Sequence, residues 1–458
     1  MKSRNINLTE GPMMSRMISY AVPIALASVL QLLYSAADLV VIGQFAGPDA
    51  FAAVGATPSL TNLFVTLFIA MATGGCICVA QYYGARDAKN VSETVHTCIA
   101  LSLVGGVIVA LLGFFFAEYA LRLMGTPEDI IKLAVLYMKI IFLSYPFTLF
   151  YNFASGIIRA AGDTKTPFYI LAVSGIVNVV LNLVFVIFFN MSVEGVALAT
   201  AVGAVINAVW SAKVLMNTSD ITYLDFKKVK FHKDKLLKII NFAIPSAIQS
   251  FMFSFSNVLI QSSVNSFGSV AVIAGSSAAS NIEGFHYTIM NAISVAALNF
   301  ASQNFGARKY DRVKKTVAVG SLLTGTVGLF IGIIIFILKV PLLSIYQPDN
   351  PEAIAAGIER LSVFGFTYFL CGIYEVIANT LRAIGMVWLP ACVCMVSVCG
   401  LRIVWIFTIF KHYHTLSILY SSYPVTWIIT IAVLLGVFLV RSKHFFDKNE
   451  KQYNSIEA

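Results

Sequence analysis

Long apolar segments recur along the chain, and short polar stretches separate them. About 20 apolar residues in an α-helix cover the hydrocarbon core of a bilayer. The apolar residues run on without alternating with polar ones, which favours spanning helices over an outer-membrane barrel. We therefore predict an all-α membrane protein with twelve transmembrane helices. The predicted spans lie near residues 17–44, 52–83, 94–117, 131–156, 166–189, 193–216, 237–266, 271–302, 315–339, 356–381, 387–410 and 417–440.

Composition leads to the same class of protein. Of the 458 residues, 58% are hydrophobic and only 12% are charged, whereas soluble proteins are typically about 45–50% apolar and about 25% charged. The stretch before the first span is polar, and that span is too long for the apolar part of a cleavable signal peptide. We expect the first helix to act as an uncleaved targeting signal.

The basic residues are distributed unequally between the two sides of the predicted membrane. Of the 31 Lys and Arg, 24 fall on one side, and Arg402 falls inside a span. By the positive-inside rule the richer side is cytoplasmic and holds both termini. The net charge of +9 then reflects topology in a bacterial cytoplasmic membrane, and no nucleic-acid partner is expected. The six basic residues on the other side are Arg122, Lys132, Lys139, Lys339, Arg360 and Lys411.

Several kinds of chemistry have no sequence support. All seven cysteines fall in apolar runs, where we expect small buried hydrophobic side chains rather than metal ligands. The six histidines form no metal-binding pair at helical spacing, and no glycine-rich phosphate loop is present. We predict no metal, no cofactor apart from a coupling ion (H⁺ or Na⁺), and no enzymatic activity.

The first span, Met17–Phe45, combines a proline with an acidic residue. Pro23 removes a backbone donor and can bend the helix or make it bendable. Asp38 places a carboxylate in an apolar helix, where insertion near the bilayer centre costs roughly 2.5–3.5 kcal/mol. We interpret Pro23 as a hinge and Asp38 as a functional acid. The alternative is a tolerated kink and a carboxylate that is merely hydrogen-bonded.

Three motifs occur twice, 222 or 223 residues apart. An even number of spans separates equivalent points, so the two halves enter the membrane in the same direction. Such repeats imply a pseudo-two-fold axis along the membrane normal and a cavity between the halves. We predict an N-lobe over 1–216, a polar cytoplasmic linker over 217–236, and a C-lobe with a short cytoplasmic tail over 237–458. The repeated motifs are Ala-Val-Pro at 21–23 and Ala-Ile-Pro at 243–245; Gln-x-x-Gly-Ala-Arg at 81–86 and 303–308; and Arg-x-x-Gly at 159–162 and 382–385, followed by Pro167 and Pro390.

The hinge proline and the doubled motifs resemble those of the multidrug and toxic compound extrusion (MATE) family over about residues 10–442. The resemblance implies two six-helix lobes forming a V, and cation-driven efflux of amphipathic, often cationic compounds. In the DinF-like, largely proton-coupled members, an acid on helix one faces polar residues on helices five and six. The matching positions here are Asp38, Asn178, Asn182 and Thr200, although some members carry a second acid at the position of Asn182. The acid on helix seven used by sodium-driven members has no counterpart in 238–267.

Physical reasoning singles out the same residues. Asn178 and Asn182 are four apart and share one helical face. Two carboxamides and the Thr200 hydroxyl supply the donors and acceptors that an intramembrane carboxylate requires. Burial in a low-dielectric environment disfavours a charged carboxylate, so Asp38 is expected to exchange a proton. Alternatively, these polar residues only hold helices together.

We also assign candidate substrate-binding residues. Glu283, with His286 three residues later, and Glu375 could neutralise a cationic substrate or hold an ion; alternatively, Glu283 and His286 satisfy one another. Arg402 is interpreted as a structural partner of one of these acids. The other candidate pocket residues are Gln31, Tyr34 and Tyr137.

These observations predict a monomeric secondary antiporter, coupled to protons rather than sodium, that exports amphipathic, cationic drugs or toxins by alternating access. The alternative within the superfamily is a flippase for a lipid-linked saccharide. Such a flippase would line its cleft with Arg and Lys, whereas the intramembrane charges here are mostly acidic. A membrane-embedded enzyme or receptor is a third class, but no catalytic pair is evident.

Overall fold

In the computed structural model, residues 6–347 and 350–457 are described, with the side chains at 59, 62–64 and 441–457 left outside that description. The described chain is helical and contains no β-strand. Twelve long helices are numbered α1 to α12. They are α1 Met13–Ala46, α2 Pro58–Gly84, α3 Ala88–Leu123, α4 Glu128–Ala160, α5 Lys165–Phe188, α6 Val193–Met216, α7 Lys233–Asn265, α8 Val270–Gly306, α9 Tyr310–Ile337, α10 Pro351–Ala383, α11 Trp388–Phe410 and α12 Leu416–Glu457.

In the described part of the chain, eleven of these helices are long and apolar enough to cross a membrane. The remaining helix, α8, corresponds to the predicted span 271–302 and has 37 residues. Its middle carries Asn281, Glu283 and His286, which lowers its mean hydropathy. The basic residues predicted for the N-terminus (Lys2, Arg4) and for the tail beyond Val440 lie outside the described side chains.

The doubled Gln-x-x-Gly-Ala-Arg motif forms the same helix end twice. At the end of α2, Ala85 N–H donates to Gln81 O at 3.0 Å; after α8, Ala307 N–H donates to Gln303 O at 2.9 Å. The arginine after each alanine has a left-handed backbone, with φ of 56° at Arg86 and 58° at Arg308. Glycine is the usual left-handed residue at a helix end, but here the arginine two positions after the glycine has that conformation.

The contacts divide the chain into two compact units. Unit 1 comprises Met1–Asn7 and Val22–Ile244, and unit 2 comprises Leu8–Ala21 and Pro245–Ala458. Helix α1 therefore passes from unit 2 to unit 1 next to Pro23, and α7 passes from unit 1 to unit 2 at Pro245. The first part of α1, up to Ala21, thus groups with unit 2, and the first part of α7, up to Ile244, groups with unit 1. In these two segments the units differ from the predicted lobe boundaries.

The segment predicted as a linker packs on unit 1. The hydroxyl of Tyr83 donates to Asp220 Oδ2 at 2.8 Å, and Asp225 N–H donates to His96 Nε2 at 3.2 Å. Within unit 1, apolar side chains such as Leu121, Met138 and Phe142 form a fully buried cluster. The prediction that all cysteines are buried holds for six of the seven, because Cys392 is exposed.

Candidate functional site

Unit 1 contains an open cavity of about 460 Å³ next to the second half of α1. Asp38, Asn178 and Thr200 line it together with Gln31 and Tyr34. A volume of this size is typical of sites for small organic ligands. The lining also includes Pro23, Arg159 of the repeated Arg-x-x-Gly motif, and polar residues that the sequence did not single out, among them Asn152, Ser155 and Asn207.

Asp38 is held by helix α5. The Asn182 amide nitrogen donates to Asp38 Oδ1 at 2.5 Å. In one orientation of the Asn178 amide, its carbonyl oxygen would face the Asp38 carboxylate, and two hydrogen-bond acceptors would meet. The amide therefore takes the other orientation, with its nitrogen towards Asp38. Asn178 then donates to Asp38 Oδ1 at 3.1 Å and accepts from Thr200 N–H at 3.2 Å. The structure thus brings together all four residues predicted for coupling, while their role stays a prediction.

Tyr34 forms a second attachment between α1 and α5. Its hydroxyl donates to the carbonyl of Ala172 at 3.1 Å. A Cβ atom placed on Gly175 would lie only 1.8 Å from the Tyr34 ring, so glycine is what allows the ring to approach α5. Within the described chain, only 11% of the most apolar part of α1 is buried by other protein groups, a smaller share than in any other candidate span.

Three residues that the sequence singled out, Asp38, Asn182 and Arg402, lie beside π-helical turns. Such a turn follows Asp38 at Ile42–Ala46, and another follows Asn182 at Val184–Phe188. In α11, π turns at Met395–Gly400 and Ile406–Phe410 flank Arg402. Because π turns are rare and frequently mark functional sites, these three positions share a local feature that the sequence pattern did not reveal.

Unit 2 contains its own open cavity, of about 470 Å³, which Glu283, Glu375 and Arg402 line with several aromatic side chains. Glu283 is not paired with His286, which was the predicted alternative. It forms a buried ion pair with Arg360, whose Nε and Nη2 donate to the two carboxylate oxygens at 2.8 and 2.9 Å. Arg360 is among the basic residues predicted for the non-cytoplasmic side; in the structure it lies inside α10, which begins at Pro351, and it is buried.

Glu375 is satisfied by uncharged donors. It accepts hydrogen bonds from Tyr287 Oη at 3.1 Å, Ser294 Oγ at 3.3 Å and Asn291 Nδ2 at 3.5 Å. No Lys or Arg nitrogen within the described chain forms an ion pair with Glu375 at 4.0 Å or less. The predicted role of Arg402 as partner of an acid therefore finds no support, since Glu283 is bound to Arg360 and Glu375 to neutral groups.

Two predicted pocket residues lie elsewhere. His286 is buried and stacks on Tyr368, with the ring centroids 4.9 Å apart. Tyr137 packs against the apolar cluster of unit 1. Neither lines one of the two cavities described above. Over the described residues, no group of three or more His, Cys, Asp and Glu could hold a metal ion.

Comparison with known proteins links these features to one family. A MatE family model matches the chain twice, over residues 23–184 and 245–408, so each match begins at one of the two hinge-like prolines. A probable multidrug resistance protein of Bacillus subtilis, YoeA, is 28% identical over 430 residues, which is 92% of each chain. The multidrug export protein MepA of Staphylococcus saprophyticus is 22% identical over 435 residues, which is 95% of each chain.

A solved structure shows the same fold. A MOP superfamily transporter from Pyrococcus furiosus superposes with a TM-score of 0.89 at 18% identity, covering 97% of this chain and 99% of the other. The predicted all-α, twelve-helix, two-lobe fold is confirmed. The apolar helices and the family together support an integral protein of the cell membrane. Because the two matched segments cover well over half of the sequence, the chain belongs to the MatE family of secondary transporters, the family that the sequence motifs resemble.

Proposed function

We propose that this protein is a proton-coupled antiporter that exports amphipathic, cationic drugs by alternating access. The observation that carries the proposal is the placement of Asp38 in the cavity of unit 1 with two carboxamide donors on one carboxylate oxygen. An acid in this position can exchange a proton with the cavity and also hold α1 against α5.

The coupling step follows from the hydrogen bonds of Asp38. The ionised carboxylate attracts the N–H groups of Asn178 and Asn182, and such charge-assisted bonds are about twice as strong as neutral ones. Protonation removes the charge and weakens this attachment of α1 to α5. Proton binding shifts the populations of two conformations only if the affinity for the proton differs between them.

The donor set favours a proton over sodium. Both carboxamides direct N–H groups, not oxygens, at the carboxylate. Hard cations such as sodium require several oxygen ligands around them. Asp38 supplies one carboxylate, and the two nearest side chains would have to rotate before they could contribute oxygen atoms.

The hinge acts where α1 changes units. Residues before Pro23 are held to unit 2: the Tyr20 ring meets Phe300 edge-on at 5.8 Å, and Asn304 Nδ2 donates to the carbonyl of Leu8 at 3.0 Å. Residues after Pro23 are held to unit 1 through Tyr34 and Asp38. A bendable point between two attached segments lets the state of Asp38 alter the direction of α1.

The substrate contacts follow from the same cavity. Gln31 and Tyr34 line it close to Asp38, so an aromatic cation would meet a ring and a carboxylate together. In unit 2, Glu375 lines the cavity but already accepts hydrogen bonds from three neutral donors, and Arg360 neutralises Glu283. We assign Glu283 a structural role.

Transport in proteoliposomes tests the proposal. Ethidium movement is measured under an imposed pH gradient and, separately, under a sodium gradient. The wild type should respond to the pH gradient, and Asp38→Asn should abolish the response while the protein still inserts and keeps its melting temperature. Asp49→Asn, which changes an exposed acid in the short helix after α1, is the matched control. Undiminished transport by Asp38→Asn, or transport driven by sodium alone, contradicts the proposal.

A further inference from the structure

The cavity of unit 2 contains a buried arginine with no acidic partner. Arg402 is 3% exposed and lines the cavity. No carboxylate within the described residues comes to 4.0 Å of its guanidinium. Its Nε has no hydrogen-bond partner in that part of the chain, and Nη1 has only a long contact of 3.5 Å to Ser256 Oγ.

The other charges of this cavity are already satisfied. Arg360 binds both oxygens of Glu283 and also donates to Ser276 Oγ at 3.0 Å. Glu375 accepts from three neutral donors. Since an arginine side chain keeps its proton in proteins, Arg402 brings to this cavity a positive charge that no carboxylate of the described residues neutralises.

The Arg402 guanidinium lies against the first of three aromatic rings that contact one another in sequence. The Arg402 guanidinium lies 3.8 Å from the centroid of the Tyr423 ring. Tyr423 contacts Trp427 edge-on at 5.6 Å, and Trp427 in turn contacts Tyr368 at 5.4 Å. All three of these rings line the cavity. A flat aromatic ligand would find both a stacking surface and a charge partner here.

We propose that the cavity of unit 2 is a second ligand site, which binds an aromatic carboxylate through the guanidinium of Arg402 and the rings of Tyr423 and Trp427. The guanidinium fork matches a carboxylate with two parallel N–H donors. The π-helical turns on both sides of Arg402 are an independent feature that is frequent at functional sites. The site differs in charge from that of unit 1, where the ligand faces the carboxylate of Asp38.

Binding is measured on the purified, detergent-solubilised protein without any gradient, so the result does not depend on proton-coupled transport. The probes are 1-naphthoate and its cationic counterpart 1-naphthylmethylammonium, followed by quenching of tryptophan fluorescence. Wild type should bind 1-naphthoate, with the quenching lost in Trp427→Phe. Arg402→Gln should weaken the binding at least tenfold, Arg402→Lys should retain part of it, and Arg122→Gln, at an exposed arginine, should leave it unchanged.

Thermal melts separate loss of the site from loss of the fold. Without ligand, Arg402→Gln should melt no lower than wild type, because the substitution removes an uncompensated charge. With 1-naphthoate, the melting temperature of wild type should rise and that of Arg402→Gln should not. Equal affinity of wild type and Arg402→Gln for 1-naphthoate, tighter binding of the cation in this cavity, or stabilisation by chloride alone would each overturn the proposal.

Discussion

Asp38 and Asn182 lie 144 positions apart in the chain, and the Asn182 amide donates directly to the Asp38 carboxylate. A hydrogen bond to a charged group contributes about 1.5–3 kcal/mol, and a change of about 1.4 kcal/mol is tenfold in an equilibrium. We expect Asn182→Ala to lower pH-driven ethidium efflux about tenfold or more. Proteoliposome transport rates measure the effect, and Asn217→Ala, at an exposed asparagine after α6, is the control. Normal efflux by Asn182→Ala would remove Asn182 from the coupling site.

Gly175 tests the attachment of Tyr34 to α5. Alanine at this position would place its Cβ 1.8 Å from the Tyr34 ring and displace the hydroxyl from Ala172 O. Overpacking of this kind typically costs about 1–3 kcal/mol, so Gly175→Ala should lower both the melting temperature and the efflux rate. The double variant Gly175→Ala with Tyr34→Ala should be no less stable than Tyr34→Ala alone, because the clash is gone.

Gly156 provides the matched glycine. A Cβ atom there would meet Cys76 Cβ at 3.6 Å, an ordinary van der Waals contact. Gly156→Ala should therefore leave the melting temperature unchanged or raise it, since alanine favours a helix over glycine. If both glycine variants melt alike, the close approach of Tyr34 is not what selects glycine at 175.

Substitutions in the ion pair of Glu283 and Arg360 test whether Glu283 has a structural role or binds substrate. Removing one partner of a buried pair typically costs about 3–5 kcal/mol, whereas replacing both with apolar residues is often nearly neutral. Glu283→Gln should lower the melting temperature markedly, and Glu283→Leu with Arg360→Met should restore most of the loss. Glu352→Gln, at an exposed acid on the same helix as Arg360, should have little effect. A double variant as unstable as the single one would show that the charges, not their mutual compensation, are required.

Local pattern was sufficient for most of the architecture. The twelve spans follow from the apolar runs, and the two lobes follow from the motifs that recur at a fixed offset. The spacing of Asn178 and Asn182 was enough to place both on one face, because four residues complete about one helical turn. Asp38 could be selected because a carboxylate is rare in such a segment.

Contacts between distant segments could not be predicted in the same way. Arg360 pairs with Glu283 across 77 positions, and the sequence gives no sign of this beyond an arginine near the start of a span. The exchange of the first parts of α1 and α7 between the units depends on packing, which a repeat at a fixed offset does not specify. Each π turn beside Arg402 and Asp38 holds one more residue between its hydrogen-bonded groups than an α-helical turn does. The pattern of apolar residues along the sequence does not resolve so small a change.

A separate prediction concerns Asp87, which lies at the start of α3. It caps α3, accepting from Asn90 Nδ2 at 2.6 Å and Asn90 N–H at 3.1 Å. These donors, the side-chain amide first, hold the pKa of the Asp87 carboxyl below its ordinary value. The charged form is thus favoured in the folded state, so its contribution to stability is present above the ordinary carboxyl pKa and is lost as the pH falls through the lowered one.

The cap is tested by paired substitutions. Asp87→Ala should reduce stability by about 1 kcal/mol, as is usual for the loss of an N-cap. Asp87→Asn, an equally good cap, should keep neutral-pH stability and lose the acid-dependent part. Melting temperatures in detergent between neutral pH and the acid range measure both effects. An identical acid dependence in wild type and Asp87→Asn would mean that other carboxyls account for it.

Pro23 and Pro245 provide the last test, because they occupy equivalent positions at which α1 and α7 pass between the units. Beyond Pro245, Arg382 Nη2 binds Gln249 Oε1 in unit 2; before it, Lys238 Nζ contacts Tyr82 Oη in unit 1 at 3.3 Å. Alanine restores the backbone N–H that proline lacks and removes its steric clash, so the helix becomes straighter and stiffer.

If bending at these points accompanies transport, Pro23→Ala should lower efflux about tenfold while raising or preserving the melting temperature, and Pro245→Ala should act in the same direction. Pro424→Ala is the matched control, because Pro424 also lies inside a helix but that helix stays within unit 2. Slower transport by a more stable protein is the signature of a stiffened hinge. Equal loss of efflux in all three variants would instead indicate a general effect of proline removal, and full efflux in Pro23→Ala would exclude α1 as the element that Asp38 moves.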